Sequence, residues 1–178
     1  MMEAITDAYL NDLWSVDCAD LKERYSLHAA RVREMDIPTA GVVGRDLLIR
    51  RQALFIPRFY LAAFLATETE TGNDGFLDFT DSVAVLPEDQ YKIITDDPDR
   101  LVEHPISAMF AELGFVQALV DRFDELAGLE PDTELLDHLV FGSGRYAPWE
   151  LMQQEATSSN ARIWLPRLFA RSGRILKQ

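Results

Sequence analysis

The sequence predicts an all-α protein folded as a single compact domain over residues 1–178, with about seven to eight helices. Three observations predict it. Apolar residues recur at helical steps of three and four. Prolines followed by acidic residues stand where helices would begin. Runs that alternate apolar and polar residues are thin. The 178 residues, 48% of them hydrophobic, suit one domain of the usual ~100–200 residues, and that apolar share is too high for a disordered chain.

Taken in order, Leu21, Tyr25, His28, Val32 and Met35 form one stripe of a helix from about Asp17 to Met35. A second apolar run extends from Arg45 to Thr67, and Pro57 inside it is expected to kink or break the helix near Phe55. Its most apolar part, Ala53 to Ala66, has 14 residues, with Arg58 inside and Arg50 and Arg51 in front. A membrane span needs ~20 apolar residues, so this is a core helix. Pro87, Pro98, Pro105, Pro131 and Pro148 mark helix starts: a missing N–H costs nothing there, and a carboxylate just after meets the positive end of the helix dipole. Asp97 is the natural cap of the helix opened by Pro98. Ile106, Phe110, Leu113, Val120 and Phe123 continue the pattern up to a cap at Gly128, and Leu135, Leu136, Leu139 and Val140 form a shorter helix closed by Gly142. The strand candidates are Val42-Val43 and Tyr91 to Thr95. The pairs Gly41/Gly44 and Gly142/Gly144 open no dinucleotide-binding βα unit and read as turns.

Charge is laid out unevenly. With 17 Lys+Arg against 30 Asp+Glu the formal charge is −13. Between Ala66 and His104 there are 11 acidic residues and two basic ones, a net −9. No acid follows Glu155, and the basic residues there are Arg162, Arg167, Arg171, Arg174 and Lys177. The chain therefore divides into an acidic helical body, residues 1–161, and a basic, aromatic tail, residues 162–178. With 12 basic against 30 acidic residues the body stands at −18. The tail is expected to dock on the body through Trp164, Leu168 and Phe169, with its arginines outward. Such acidity works against binding to nucleic acid or an anionic membrane, which need a positive face. The N-terminus lacks the basic start and apolar core of a secretory signal, and a single cysteine excludes a disulfide framework and fits a reducing compartment. A cytoplasmic protein is expected.

The residues that usually carry chemistry are few. Cys18 lies among Asp17 and Asp20, whose negative field works against a nucleophilic thiolate. His28 falls on an apolar stripe and reads as a core histidine, His104 precedes Pro105 at a helix junction, and His138 stands beside Asp137. Metalloprotease, nucleophile-elbow, phosphate-loop and paired-cysteine patterns are all missing. The segment Thr71 to Asp81 can be set against a calcium loop by placing Gly75 at its sixth position. Glu70, Asp74, Asp78 and Asp81 then fall at the first, fifth, ninth and twelfth positions, and Leu77 at the apolar eighth. The fit fails where ligands matter most, because the first residue should be Asp, the third is Gly72 and the last should be a bidentate Glu. The segment reads instead as a helix N-terminus capped by Asn73 or Asp74, with Phe76 and Phe79 facing the core. No metal, cofactor or catalytic residue is assigned.

The same segment resembles the bacterial domain of unknown function 4240, sometimes found with WGR domains in proteins resembling a molybdate metabolism regulator. Ala62-Ala63 matches the helix signature of that family, and Gly72-Asn73-Asp74-Gly75-Phe76 answers its S-D-D-x-F. Phe79, Tyr91 and Pro98-Asp99-Arg100-Leu101 follow in register without a gap over about 40 residues. Thr80 stands where the family has Arg, Ser82 where it has Trp and Pro87 where it has Gly. The resemblance implies a helical bacterial cytoplasmic domain and brings no activity with it.

The function expected is a non-enzymatic interaction module, of the kind of an immunity protein, an inhibitor or an assembly subunit, whose acidic face binds a basic protein partner. The candidate partner-binding residues are Asp74, Asp78, Asp81, Asp96, Asp97 and Asp99. The alternative is an enzyme, or a small-molecule or metal-binding domain, using the carboxylates of segment 74–99, since paired acids can divide acid and base roles when their surroundings differ. Nucleic-acid contact is left to the basic tail alone.

Overall fold

In a computed structural model the protein is described over residues 2–18, 20–66, 73–103, 114–130, 135–141 and 149–172. Most of these residues are helical, with no strand among them. The helices are α1 (Met2–Ser15), α2 (Leu21–Arg33), α3 (Ile37–Ala53), α4 (Pro57–Ala66), α5 (Asn73–Ala84), α6 (Glu88–Asp96), a 3-10 helix (Pro98–Glu103), α7 (Phe115–Leu126), α8 (Leu135–Phe141), α9 (Trp149–Glu155), α10 (Ser158–Trp164) and α11 (Pro166–Ser172). The all-α class holds, but eleven α-helices are described where seven or eight are expected. Part of the surplus lies toward the C-terminus, where α10 and α11 have seven residues each. Two turns are too few for a 3.6-residue period to declare itself.

Local chemistry explains the boundaries. Asp20 caps α2 by accepting from the Glu23 N–H at 2.9 Å, and Asp36 caps α3 by accepting from the Thr39 N–H at 2.9 Å. The first helix of the apolar run ends at Ala53, with Leu54 as its cap, and Pro57 opens α4, so the proline marks a break between two helices. Gly128 terminates α7 at φ 74°, donating to Glu125 O, while Leu129 N–H reaches Asp124 O. Only a residue at ease in the left-handed region closes a helix this way.

The core forms around α3 and α4. The first packs against α1, α5, α7 and α8, and the second against α9, the 3-10 helix, α11 and α5. Phe59, Phe76, Phe79 and Phe115 are the largest wholly buried side chains, joined by edge-on contacts such as Phe55–Phe76 and Tyr60–Phe76, each 5.3 Å between centroids.

Three expectations need correction. Val42-Val43 lies inside α3 and Tyr91 to Thr95 inside α6, so neither is a strand. Both are short β-branched runs in which neighbouring helical turns supply the apolar face. The helix expected across Ile106 to Phe123 does not extend upstream of Phe115, because Gly114 precedes α7 in the left-handed region at φ 47°. Residues 104–113, including His104 and Pro105, lie outside the described residues, as do Pro131, Pro148 and the pair Gly142/Gly144. Gly41 and Gly44 are not turns. They sit in α3 where neighbours press close: a Cβ on Gly44 would stand 2.6 Å from Leu136 Cδ2 and 3.5 Å from Leu119 Cβ, and one on Gly41 would stand 3.1 Å from Phe123 Cε2. These glycines let α7 and α8 approach the α3 backbone. Gly44→Val is expected to cost about 2–3 kcal/mol by overpacking. Gly44→Ala is expected to lie within about 1 kcal/mol of the parent, because better helix propensity offsets part of the clash. Urea unfolding, with the midpoint lowered and the slope unchanged, checks both.

Candidate functional site

The acidic residues singled out in the sequence do not converge. Asp81, near the C-terminal end of α5, is 4% exposed. Its Oδ1 accepts from Arg51 Nη1 at 3.1 Å, and its Oδ2 accepts from the Val116 N–H at 3.2 Å. It thus caps the first turn of α7 from another helix while pairing with an arginine of α3. Burial pushes the Asp81 carboxyl above the usual carboxylate range, against the pull of Arg51 and of the α7 amides. Asp99, in the 3-10 helix, is also 4% exposed and does the same for α11, accepting from Arg167 N–H at 3.0 Å and Leu168 N–H at 2.8 Å. Neither residue is available to a partner, so both leave the list of partner-binding candidates.

Asp97 accepts from Arg58 Nη2 at 2.9 Å and from the Asp99 N–H at 3.4 Å, and stays half exposed. Asp78 is partly buried on α5, and Asp96 is exposed at the C-terminal end of α6. Asp74 lies on α5, with its side chain outside the described residues, as are those of Asn73 and of residues 67–72. The helical course of 73–84 is incompatible with a calcium loop, which must fold back on itself to bring its ligands together. Among the described residues no group of three or more His, Cys, Asp or Glu side chains is placed to hold a metal ion.

A rule unites the buried acids. Asp124, wholly buried on α7, accepts from the Leu135 N–H at 3.1 Å and so caps α8. Asp81, Asp99 and Asp124 each supply, from another element, a carboxylate to the N–H groups at a helix N-terminus. Arginines do the converse at C-terminal ends. Arg24 donates to Leu13 O at 2.7 Å and Val16 O at 3.2 Å while lying 4.1 Å over the Trp14 ring. Arg58 donates to Trp164 O at 3.2 Å, Arg122 to Met35 O at 3.3 Å, and Arg171 to Val102 O at 2.8 Å. Sequence reasoning missed Asp124. Its signal was there, since Val116, Val120 and Asp124 recur every fourth residue and put an acid on an apolar stripe.

The C-terminal segment is seated by the same contacts. Leu165 and Leu168 are fully buried, α11 packs on the 3-10 helix and α4, and Arg167 pairs with Glu103, whose carboxyl that hydrogen bond holds below its ordinary value. A boundary at residues 161/162 cuts through α10, so body and tail are not separate structural units. Residues 173–178 lie outside the described ones.

Surface concavities also lie among the described residues. A cleft of about 540 Å³ between α1, α3 and α6 is lined by Asp7, Arg45, Arg50, Glu88, Tyr91 and Lys92. Its charges answer one another: Arg50 donates to Asp7, Glu88 and Leu86 O and lies 5.0 Å from the Tyr91 ring centroid, and Lys92 pairs with Glu88 at 2.9 Å. A groove of about 550 Å³ between α2 and α7 has Tyr25, Ala29, Val32, Ala118 and Leu129 along it. Neither brings together a nucleophile, a base and an anion-stabilising donor, the set that acyl or phosphoryl transfer requires.

The most perturbed histidine is elsewhere. His28 is 0% exposed, with Nε2 at 2.8 Å from Phe115 O and Nδ1 at 2.5 Å from Tyr9 Oη. A carbonyl can only accept, so Nε2 carries the proton and Nδ1 accepts from the Tyr9 hydroxyl. Burial pushes the ring down from 6.5 to about 4, and Arg31 adds to that.

No family model matches the chain, and comparison with curated proteins and with solved structures returns no match. Among the described residues no helix is long and apolar enough to cross a membrane.

Proposed function

We propose that this chain is a non-enzymatic, cytoplasmic protein–protein interaction module, of the immunity-protein, inhibitor or assembly-subunit kind, that binds a basic partner surface. One observation carries the reading. The chain carries 30 Asp+Glu against 17 Lys+Arg, and Arg24, Arg50, Arg51, Arg58, Arg122, Arg167 and Arg171 are engaged with helix ends and carboxylates, which leaves fewer cations to answer the exposed acids. The exposed acids include Asp17, Glu34, Asp89 and Asp96. Asp96 adds its charge to the negative end of the α6 dipole, a local cost that a basic partner would offset. Charge of this kind governs association rate more than residence time. The catalytic alternative loses support, since Asp81, Asp97 and Asp99 are spent on separate helix ends. Of the residues that carry the likeness to the domain of unknown function 4240, Ala62, Ala63, Phe76, Phe79 and Leu101 are wholly buried, which supports a likeness of scaffold.

The test is capture by the immobilised chain from a lysate of the source organism at low salt. A basic protein is expected to be retained, to elute as salt screens the charges, and to associate about tenfold more slowly with the Asp89→Lys/Asp96→Lys variant. Retention of no protein, or of one indifferent to both salt and charge reversal, would refute the reading.

A further inference from the structure

His28 stands where three helices meet. Its ring, on α2, is tied to Tyr9 on α1 and to the first carbonyl of α7, and it lies 5.2 Å from the Phe115 ring and 5.9 Å from the Tyr9 ring. Both nitrogens are satisfied in the neutral state, whereas a second proton on Nδ1 would force the Tyr9 hydroxyl to turn from donor to acceptor. Among the described residues, the groups around it offer a second proton no counter-charge in contact. On α1 the facing polar group is the Tyr9 hydroxyl, and the Asp12 carboxylate beyond it is committed to Arg31 at 2.8 Å. On α2 the neighbours are Tyr25, 6.3 Å away between centroids, and the positive Arg31. On α7 the facing group is the Phe115 carbonyl, already taken. A charged imidazolium would be wholly buried, with Arg31 adding to the cost and, among the described residues, no carboxylate hydrogen-bonded to the ring.

We propose that His28 is a proton-operated latch: its protonation in mildly acidic conditions frees α1 from α2 and from the first turn of α7. The charged ring gains hydration only if the junction opens. Tyr25 and Gly114 border both this junction and the α2–α7 groove, so release of α1 and the α7 start would also change that groove. The device is independent of the partner reading above.

The sign follows from linkage. The unfolded chain takes up the histidine proton near 6.5 and the folded chain only near 4, so the stabilisation is complete above 6.5 and is lost as pH falls toward 4. Over that interval the unfolding equilibrium constant is expected to rise about 300-fold through this one group.

Three measurements on the full chain test it. Nitrogen-proton NMR of the imidazole is expected to show a neutral Nε2–H tautomer persisting to about pH 5; a ring that charges near 6.5 in the folded chain overturns the proposal. His28→Gln keeps a donor for Phe115 O and an acceptor for Tyr9 but cannot charge, so it is expected to remove the 300-fold term from the pH dependence of unfolding. An unchanged pH dependence overturns the proposal, and if the variant does not fold, the NMR titration of the parent decides. Amide exchange compared at neutral and acid pH is expected to accelerate first in α1 and at the start of α7. Uniform acceleration, including α4 and α9, would mean global acid unfolding and no latch.

Discussion

Asp81→Ala is expected to destabilise the chain by about 3–5 kcal/mol. Two losses combine. Arg51, 7% exposed, keeps its positive charge in the core without the carboxylate that faces it at 3.1 Å, and the Val116 N–H at the start of α7 loses its acceptor. Removing one member of a buried pair costs far more than the pair is worth, because the surviving charge has already given up its water. The double variant Asp81→Leu/Arg51→Met is therefore expected to recover most of the loss, since neither charge remains to be desolvated. Denaturant unfolding of parent, single variants and double variant completes the cycle. A double variant no more stable than Asp81→Ala would show that the fold depends on the ion pair itself.

The pH dependence of this site separates the two charges further. Burial raises the Asp81 carboxyl above its ordinary 3.8, so the folded chain holds that proton to higher pH than the unfolded chain does. The contribution is fully present at acid pH and falls away as pH rises through the folded value. It therefore runs opposite to that of His28, whose contribution is present above 6.5 and lost on acidification. Asp81→Asn is expected to remove only the first. Unfolding free energies measured across the acid range for Asp81→Asn and His28→Gln separate the two slopes.

How far the molecule is legible in the sequence depends on how far each residue reaches. The stripe Leu21, Tyr25, His28, Val32 can be read because helical neighbours are three and four positions apart, and Leu21, His28 and Val32 are indeed buried on α2. Gly128 can be read as a terminator because its left-handed conformation is a local property. The break at Pro57 is equally local. Gly44 is misread for the opposite reason. A glycine in a turn and a glycine pressed by a remote side chain look alike, and Leu136 is far along the chain. The acids fail in the same way. Asp81 finds its amide 35 positions downstream and Asp99 finds its own 68 and 69 positions away, so an excess of carboxylates in residues 66–104 reads as a surface when part of it is internal wiring. His28 lies between: its burial follows from periodicity, but the two groups that fix its tautomer belong to α1 and α7.

Phe76→Ala is expected to cost about 3–5 kcal/mol, comparable to Asp81→Ala but through packing alone. Phe76 is 0% exposed and forms edge contacts at 5.3 Å with both Phe55, in the break between α3 and α4, and Tyr60, on α4. It therefore joins α5 to α4 and to the break that precedes α4. Truncation removes the ring's transfer energy and leaves a cavity whose walls, Phe55 and Tyr60, belong to different elements and close only if those elements shift. Phe76→Leu keeps much of the volume and is expected to cost about half as much. Because no ionisable group is involved, the loss is expected to be the same at neutral and mildly acidic pH, in contrast to Asp81→Asn and His28→Gln. Equilibrium unfolding at two pH values checks this. A Phe76→Ala loss that changed with pH would mean that the Phe55–Phe76–Tyr60 cluster and the charged Arg51–Asp81 contact between α3 and α5 act as one unit, and the two sites could then no longer be treated as additive.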